Sequence, residues 1–197
     1  MSEEREYGLR GPAARQALRA WWWRLLVEDG PERHKEEDAP RRSPRRGDRA
    51  QLRRCRTLGQ VVMDKAFNDL LRDLHAKNVP LGEHLQGLAA AALVLMEVRG
   101  ESEEPTLGRL MAAPGKNPKQ GRVSGLRFRR LLAIDDLEEL TQALIRVVRL
   151  CGDKAPVTAL ARDILEWADP AQREKIRQSW ARDYYANVPD AGDVHAA

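Results

Sequence analysis

The chain has 197 residues, of which 42% are hydrophobic and 32% are charged, and this composition fits one ordinary domain or two small subdomains that share a core. Two cysteines, Cys55 and Cys151, show no CxxC or Cys/His spacing, so they do not support a disulfide framework and favour a cytoplasmic protein with reduced thiols. The longest apolar run, LAAAALVLM, is about half the length of a membrane span, and the N-terminus is too charged for a signal peptide.

Positive charge is concentrated in the middle of the chain. Residues 1–39 carry a net charge of −2, residues 40–130 carry +10 and residues 131–197 carry −4. Eight of the 16 residues from Arg41 to Arg56 are arginines. This distribution favours a polyanionic partner for one face of the protein.

The spacing of apolar residues predicts an all-α protein, because no alternating run of β-branched and polar residues is long enough for a convincing strand. A first helix is predicted to begin at Pro12 and to end near Gly30, before a mobile polar loop at residues 30–48. A long second helix is predicted from about Arg49 to His75. A third helix, rich in small residues, covers roughly residues 81–98.

The second half of the chain also has helical patterns. A capping box, Asp135 with Glu138, predicts the start of a helix whose apolar seam continues to Cys151. Other helices are predicted at residues 107–112, 123–132 and 157–167, and after the Asp169-Pro170 pair. The expected fold is a compact multi-helix bundle with one basic face, divided into an N-terminal half at 12–105, a C-terminal half at 106–187 and a disordered tail at 188–197.

Three consecutive tryptophans lie in the first helix. Successive helical residues are about 100° apart, so the three rings cannot all enter one core. Trp22 aligns with Leu18 and is predicted to be buried, Trp21 is placed at the boundary, and Trp23 points away. Trp23 is either a base-stacking platform or partner contact, or it packs under the neighbouring loop.

Two basic stretches provide the candidate contacts to nucleic acid. On one long helix, Arg49, Arg53 and Arg56 would share a face, and no acidic residue occurs between Glu104 and Asp135. Arginine binds phosphate through its planar fork, whereas a solvated face normally mixes charge signs. A solvated or disordered basic arm is the alternative, and whether the two stretches share one face is open. The candidate residues are Arg49, Arg53, Arg54, Arg56, Arg109, Lys116, Lys119, Arg122, Arg127, Arg129 and Arg130.

Catalytic and metal-binding patterns have little support. The histidines, His34, His75, His84 and His195, are scattered, and no P-loop or HExxH motif occurs. The pair Asp135-Asp136 is better explained by a helix cap than by metal ligation. The sequence therefore predicts no enzymatic activity, no metal and no cofactor.

Several segments together resemble a known family. AQLRRC at 50–55, TLGRLMA at 106–112 and LRFRRLLAIDDLEELTQALIRVVRL at 126–150 occur in the order seen in the small subunit of the type I-E CRISPR Cascade complex, the CasB family. ALRAWWWRLL resembles the first helix of that family, and LARDILEWA…WARDYY at 160–185 resembles its closing helices. The resemblance covers roughly residues 14–186.

This resemblance implies a non-catalytic subunit that stabilises the R-loop in antiviral defence. It implies crRNA and both strands of target DNA as partners, together with a second copy of the chain, the Cascade backbone and the large subunit, and no membrane. The contacts of the family would fall on Arg53 with Arg54, on Arg109, on Arg127 with Arg130, and on Arg146. The insert at 30–48 is longer and more arginine-rich than expected for the family, so the resemblance supports DNA contact by Arg41, Arg42, Arg45 and Arg46 less than by the matched positions.

Two other functions are compatible with a basic helical protein. A stand-alone DNA-binding regulator would need a recognition helix with side chains directed at base edges, and the arginine helix has no evident helix-turn-helix partner. A helical adaptor would instead bind an acidic protein with its basic face.

Overall fold

The computed structural model describes residues 8–28, 47–81, 84–115 and 117–189. The arginines of the predicted loop (Arg41, Arg42, Arg45 and Arg46), Lys116, and the predicted tail from residue 190 lie outside the described residues. The division of the chain at residues 105 and 106 stays a prediction.

The all-α prediction is confirmed. A 3-10 turn at Gly8–Arg10 precedes ten α-helices in the described ranges. These are α1 (Pro12–Glu28), α2 (Asp48–Arg54), α3 (Leu58–Val62), α4 (Lys65–His75), α5 (Leu85–Leu95), α6 (Leu107–Ala112), α7 (Gly125–Leu132), α8 (Leu137–Leu150), α9 (Val157–Trp167) and α10 (Pro170–Tyr185).

A short parallel strand pair joins two distant parts of the chain. Strand β1 (Gly100–Glu101) pairs with β2 (Lys154–Ala155), with Gly100 opposite Lys154. The backbone N–H of Arg99 extends this contact by donating to the carbonyl of Asp153 over 2.7 Å. The pair ties the segment after α5 to the segment before α9.

Helix α5 forms the centre of the core. All residues from 87 to 98 are buried, so this helix has no solvent-facing side along most of its length. It packs against α9, α8 and α3. A Cβ atom added at Gly87 would lie 2.8 Å from the Cβ of Ala168, so glycine is needed where α5 approaches α9.

The last helix covers the far side of α9 and packs on α6. Its inward side chains are Ile176, Trp180 and Tyr184. The Trp180 indole N–H donates to the buried Asp163 carboxylate over 2.8 Å, and the Tyr184 hydroxyl donates to the Val123 carbonyl over 2.7 Å. These bonds satisfy polar groups that would otherwise be costly to bury.

The long helix predicted from Arg49 to His75 is wrong, because the chain forms α2, α3 and α4 there. The Thr57 side chain accepts a hydrogen bond from the Gln60 N–H and caps α3, and Asp64 accepts from the Ala66 N–H and caps α4. These side-chain acceptors favour new helix starts over continuation of the old helix. Arg56 consequently lies outside α2 and does not share a helix face with Arg53.

Two smaller expectations are also corrected. Asp136, not Asp135, caps α8, because its carboxylate accepts from the Glu139 N–H. Trp21 is only 1% exposed, and its indole N–H donates to the Ala66 carbonyl in the first turn of α4, whereas the sequence placed it at the boundary. Burial of Trp22 is confirmed, and Trp23 is 58% exposed, as predicted.

Candidate nucleic-acid interface

A groove of about 630 Å³ lies between α7 and α8. Its rim carries four arginines, Arg127 and Arg130 from α7 and Arg146 and Arg149 from α8. Each pair is three residues apart, so both members point to one side of their helix. Glu139 contributes the one carboxylate of the lining. The floor and walls consist of six apolar side chains: Val123, Leu131, Ile134, Ala143, Val147 and Leu150.

A second groove, of about 720 Å³, lies between α8 and the segment that joins α2 to α3. Arg53 and Arg54 end α2, and Arg56 follows in the irregular segment before the Thr57 cap. All three line this groove together with Arg146 and Arg149.

Helix α8 therefore connects the two basic stretches, because Arg146 and Arg149 line both grooves. Part of each basic stretch therefore shares a face, which the sequence left open. We call the combined surface the basic band and define it by its seven arginines: Arg53, Arg54, Arg56, Arg127, Arg130, Arg146 and Arg149.

Most arginines of the basic band lack acidic partners. Among the described residues, five of them take part in no ion pair: Arg54, Arg56, Arg127, Arg130 and Arg146. Some arginines outside the band do pair with carboxylates, as in Arg24 with Asp73 at 3.0 Å and Arg72 with Asp69 at 2.8 Å. Uncompensated guanidinium groups next to one another repel, and an anionic partner would relieve this repulsion.

Glu97 is the carboxylate of the second groove. Its two oxygens accept hydrogen bonds from Arg53 over 3.0 and 3.1 Å, and from Arg149 over 3.1 Å. Burial would raise the pKa of Glu97, but the hydrogen bonds from the two arginines outweigh burial and hold this pKa below its ordinary value. The ionised carboxylate thus holds two arginines from different helices in place.

Sequence reasoning missed Arg149 and Glu97. Arg149 lies three residues after Arg146, and this spacing on one helix was an available signal. The role of Glu97 depends on the arrangement of α2, α5 and α8, which local patterns do not reveal.

Arg49 is a correction to the candidate set. Its side chain is buried, with 5% of the residue exposed. The guanidinium donates to the Met96 carbonyl over 2.7 and 3.2 Å and to the Val98 carbonyl over 3.0 Å. These carbonyls follow the last turn of α5, where acceptors lack helical partners and a cation is favourable. Arg49 therefore supports the core and does not offer its fork to a phosphate.

The remaining described candidates are not part of the basic band. Four of them line neither groove: Arg109, Lys119, Arg122 and Arg129. Arg129 is two residues from Arg127 on α7 and so points to the other side of that helix. Contact of these four residues with nucleic acid stays a prediction.

Trp23 lies on another part of the surface. It borders a pocket of about 420 Å³ together with Arg19 and Glu101, which form an ion pair at 3.0 Å. The distance from its ring centroid to that of Trp22 is 6.0 Å. Its suggested role as a stacking platform stays a prediction.

The described residues form neither a metal-binding cluster nor a membrane-spanning helix. No group of three or more His, Cys, Asp or Glu side chains is placed to hold a metal ion within these residues. No helix in the same ranges is long and apolar enough to cross a membrane.

Comparison with known proteins identifies the family. The family described as CRISPR-associated protein Cse2 matches residues 48–185, and the chain belongs to this family. No curated protein and no solved structure matches the chain. The Cse2 family provides a non-catalytic subunit of the Cascade complex in CRISPR defence, which confirms the resemblance to the Cascade small subunit. The matched residues contain both grooves.

Proposed function

We propose that this Cascade subunit binds the phosphate backbone of nucleic acid through the basic band, without reading sequence, and thereby stabilises the R-loop. One observation carries the proposal: Arg146 and Arg149 of α8 join two basic stretches into one surface. A single strand crossing α8 could contact arginines of both grooves.

The composition of the basic band supports backbone binding. The two grooves expose seven arginines against two carboxylates, Glu97 and Glu139. Arginine forks bind phosphate oxygens bidentately, and such contacts position a nucleic acid without specifying its sequence. In a complex whose guide RNA reads sequence by base pairing, a subunit with this surface supplies affinity.

The proposal includes the partners that the resemblance implies. These are crRNA, both strands of target DNA, a second copy of the chain, and the Cascade backbone and large subunits, in the cytoplasm. Membership in a Cascade subunit family supports the Cascade partners as a class.

Salt dependence tests this function. Labelled DNA of random sequence is titrated with the purified chain between about 50 and about 200 mM salt. If about six phosphates are contacted, the log–log slope should be near −5 for duplex DNA or about −4 for a single strand. Arg53→Ala and Arg127→Ala should each reduce the slope by about one and weaken all sequences alike.

The matched control is Arg72→Ala, which removes an exposed arginine that pairs with Asp69 and lines neither groove. This variant should leave the slope unchanged. A flat salt response in the wild type would rule out the backbone contacts. A sequence preference that persists at high salt would instead favour a stand-alone regulator.

A further inference from the structure

The α7–α8 groove has an apolar interior that phosphate binding does not require. Leu150 is 43% exposed beside Arg146 and Arg149, and Ala143 is half-buried on the same wall. The deeper surface is also apolar, with Val123, Leu131 and Val147. A site for phosphates alone would need the arginine rim but not this interior.

We propose that this groove docks an unstacked base of single-stranded nucleic acid, while the arginines of its rim hold the flanking phosphates. This inference rests on the proposed backbone binding. A volume of about 630 Å³ lies within the range of small-ligand pockets and can take a nucleotide. The base would move out of water and pack against the apolar walls, and the flanking phosphates would stay at the rim.

The lining also indicates how a base would be held. It contains no aromatic side chain, so stacking would fall to the guanidinium planes of the rim arginines. Such stacking tolerates any base, because every base presents a π face. The groove would therefore distinguish single strands from duplexes without distinguishing one sequence from another.

Continuity with the second groove favours a nucleic acid over an acidic protein helix. Arg146 and Arg149 lead from the α7–α8 groove directly to Arg53, Arg54 and Arg56. A strand presents phosphates at regular intervals along such a path. An amphipathic helix would fill the apolar groove but would leave the arginines beyond α8 without partners.

The test compares two polyanions that differ only in their bases. One is a thymidine oligonucleotide of about 20 nucleotides, and the other is an abasic deoxyribose-phosphate oligomer of equal length. At equal salt, the wild-type chain should bind the thymidine strand about tenfold more tightly for one docked base. Leu150→Gln, which makes the exposed wall polar, should bring the two affinities close together without changing the salt slope.

Two further variants complete the design. Leu126→Gln is the matched control, because Leu126 is 53% exposed on α7 and lines neither groove. It should keep the wild-type difference between the two strands. Ala143→Leu narrows the groove without altering charge and should lower thymidine-strand binding towards the abasic level. Thermal unfolding of each variant verifies that the fold is retained.

The outcomes separate this inference from the function on which it rests. Equal wild-type affinity for both oligomers, with normal salt dependence, would overturn base docking and leave backbone binding intact. Failure to bind either oligomer would overturn backbone binding itself. If Leu150→Gln and Ala143→Leu both still bound the thymidine strand more tightly than the abasic oligomer, the base would be docked elsewhere. If an acidic amphipathic peptide competed for the groove as well as the thymidine strand does, the groove would be assigned to a protein partner.

Discussion

A single arginine illustrates how position determines the role of a charged side chain. Arg49 and Arg53 are one helical turn apart on α2, yet Arg49 is buried against the carbonyls that follow α5, whereas Arg53 lines a groove. Sequence spacing cannot distinguish these roles, because both side chains are long enough to reach a core carbonyl or solvent. The sequence therefore grouped Arg49 with the phosphate contacts.

Replacement of Arg49 with Ala should destabilise the fold. The Met96 and Val98 carbonyls would lose charge-assisted hydrogen bonds, and the free energy of unfolding should fall by about 2–4 kcal/mol. Arg54→Ala, an exposed neighbour on α2, should change it by less than about 0.5 kcal/mol. Urea denaturation followed by circular dichroism measures both values. Equal losses in the two variants would show that Arg49 does not support the core.

At the scale of elements, regular apolar spacing predicted helices well where side chains repeat without interruption. Helices α6, α9 and α10 and the inward side of α8 follow the sequence prediction, and the starts of α3 and α4 do not. The side chains of Thr57 and Asp64 accept backbone hydrogen bonds and so start new helices. The apolar pattern runs through both positions and therefore predicts one continuous helix. Six arginines of the basic band were candidates from the sequence, but their proximity depends on tertiary packing against α8.

The contact between α6 and α10 depends on a glycine. A Cβ atom at Gly108 would lie 2.7 Å from the Cβ of Asp183 and 2.8 Å from the Trp180 carbonyl oxygen. Gly108→Ala should therefore force the helices apart and lower the free energy of unfolding by about 1–3 kcal/mol. Gly59→Ala on the exposed side of α3 is the control, since a Cβ there meets no atom closer than 3.9 Å. The Gly59→Ala change should leave the free energy of unfolding unchanged or raise it by roughly a few tenths of 1 kcal/mol.

The carboxylate that joins α2 to α8 should make stability depend on pH. The pKa of Glu97 lies below its ordinary value of 4.5 in the folded protein. Its stabilising contribution is therefore complete above the unfolded pKa and is lost as pH falls through the folded pKa. Glu97→Gln should flatten the acid side of a plot of unfolding free energy against pH below about 5. An unchanged acid limb in this variant would show that Glu97 is not held by Arg53 and Arg149.

At the scale of the whole molecule, charge is separated from the core. The central helix α5 is buried from residue 87 onward, and five arginines that form no ion pair among the described residues line the two grooves beside α8. The fold thus offers one strongly basic surface around α8. This arrangement leads to a test in the assembled complex.

In reconstituted Cascade, Arg127→Ala should shorten the lifetime of the R-loop several-fold and leave crRNA loading largely unchanged. The expected loss corresponds to about 1 kcal/mol for one phosphate contact, with no change in base pairing. Gel-shift dissociation kinetics measure the lifetime, and sequencing of bound RNA measures loading. Arg72→Ala should match the wild type in both assays. If Arg127→Ala abolished loading instead, its contact would be with the guide backbone and not with the R-loop.

The burial of α5 also has a consequence for biosynthesis. Its principal neighbour, α9, ends about seventy residues later in the chain, so α5 leaves the ribosome well before its covering helix exists. At about 5–20 residues per second, this leaves an uncovered apolar segment for roughly 4–14 seconds. During that interval the AAAALVLM segment is a natural target for a chaperone, and a slower-translated message would extend its exposure.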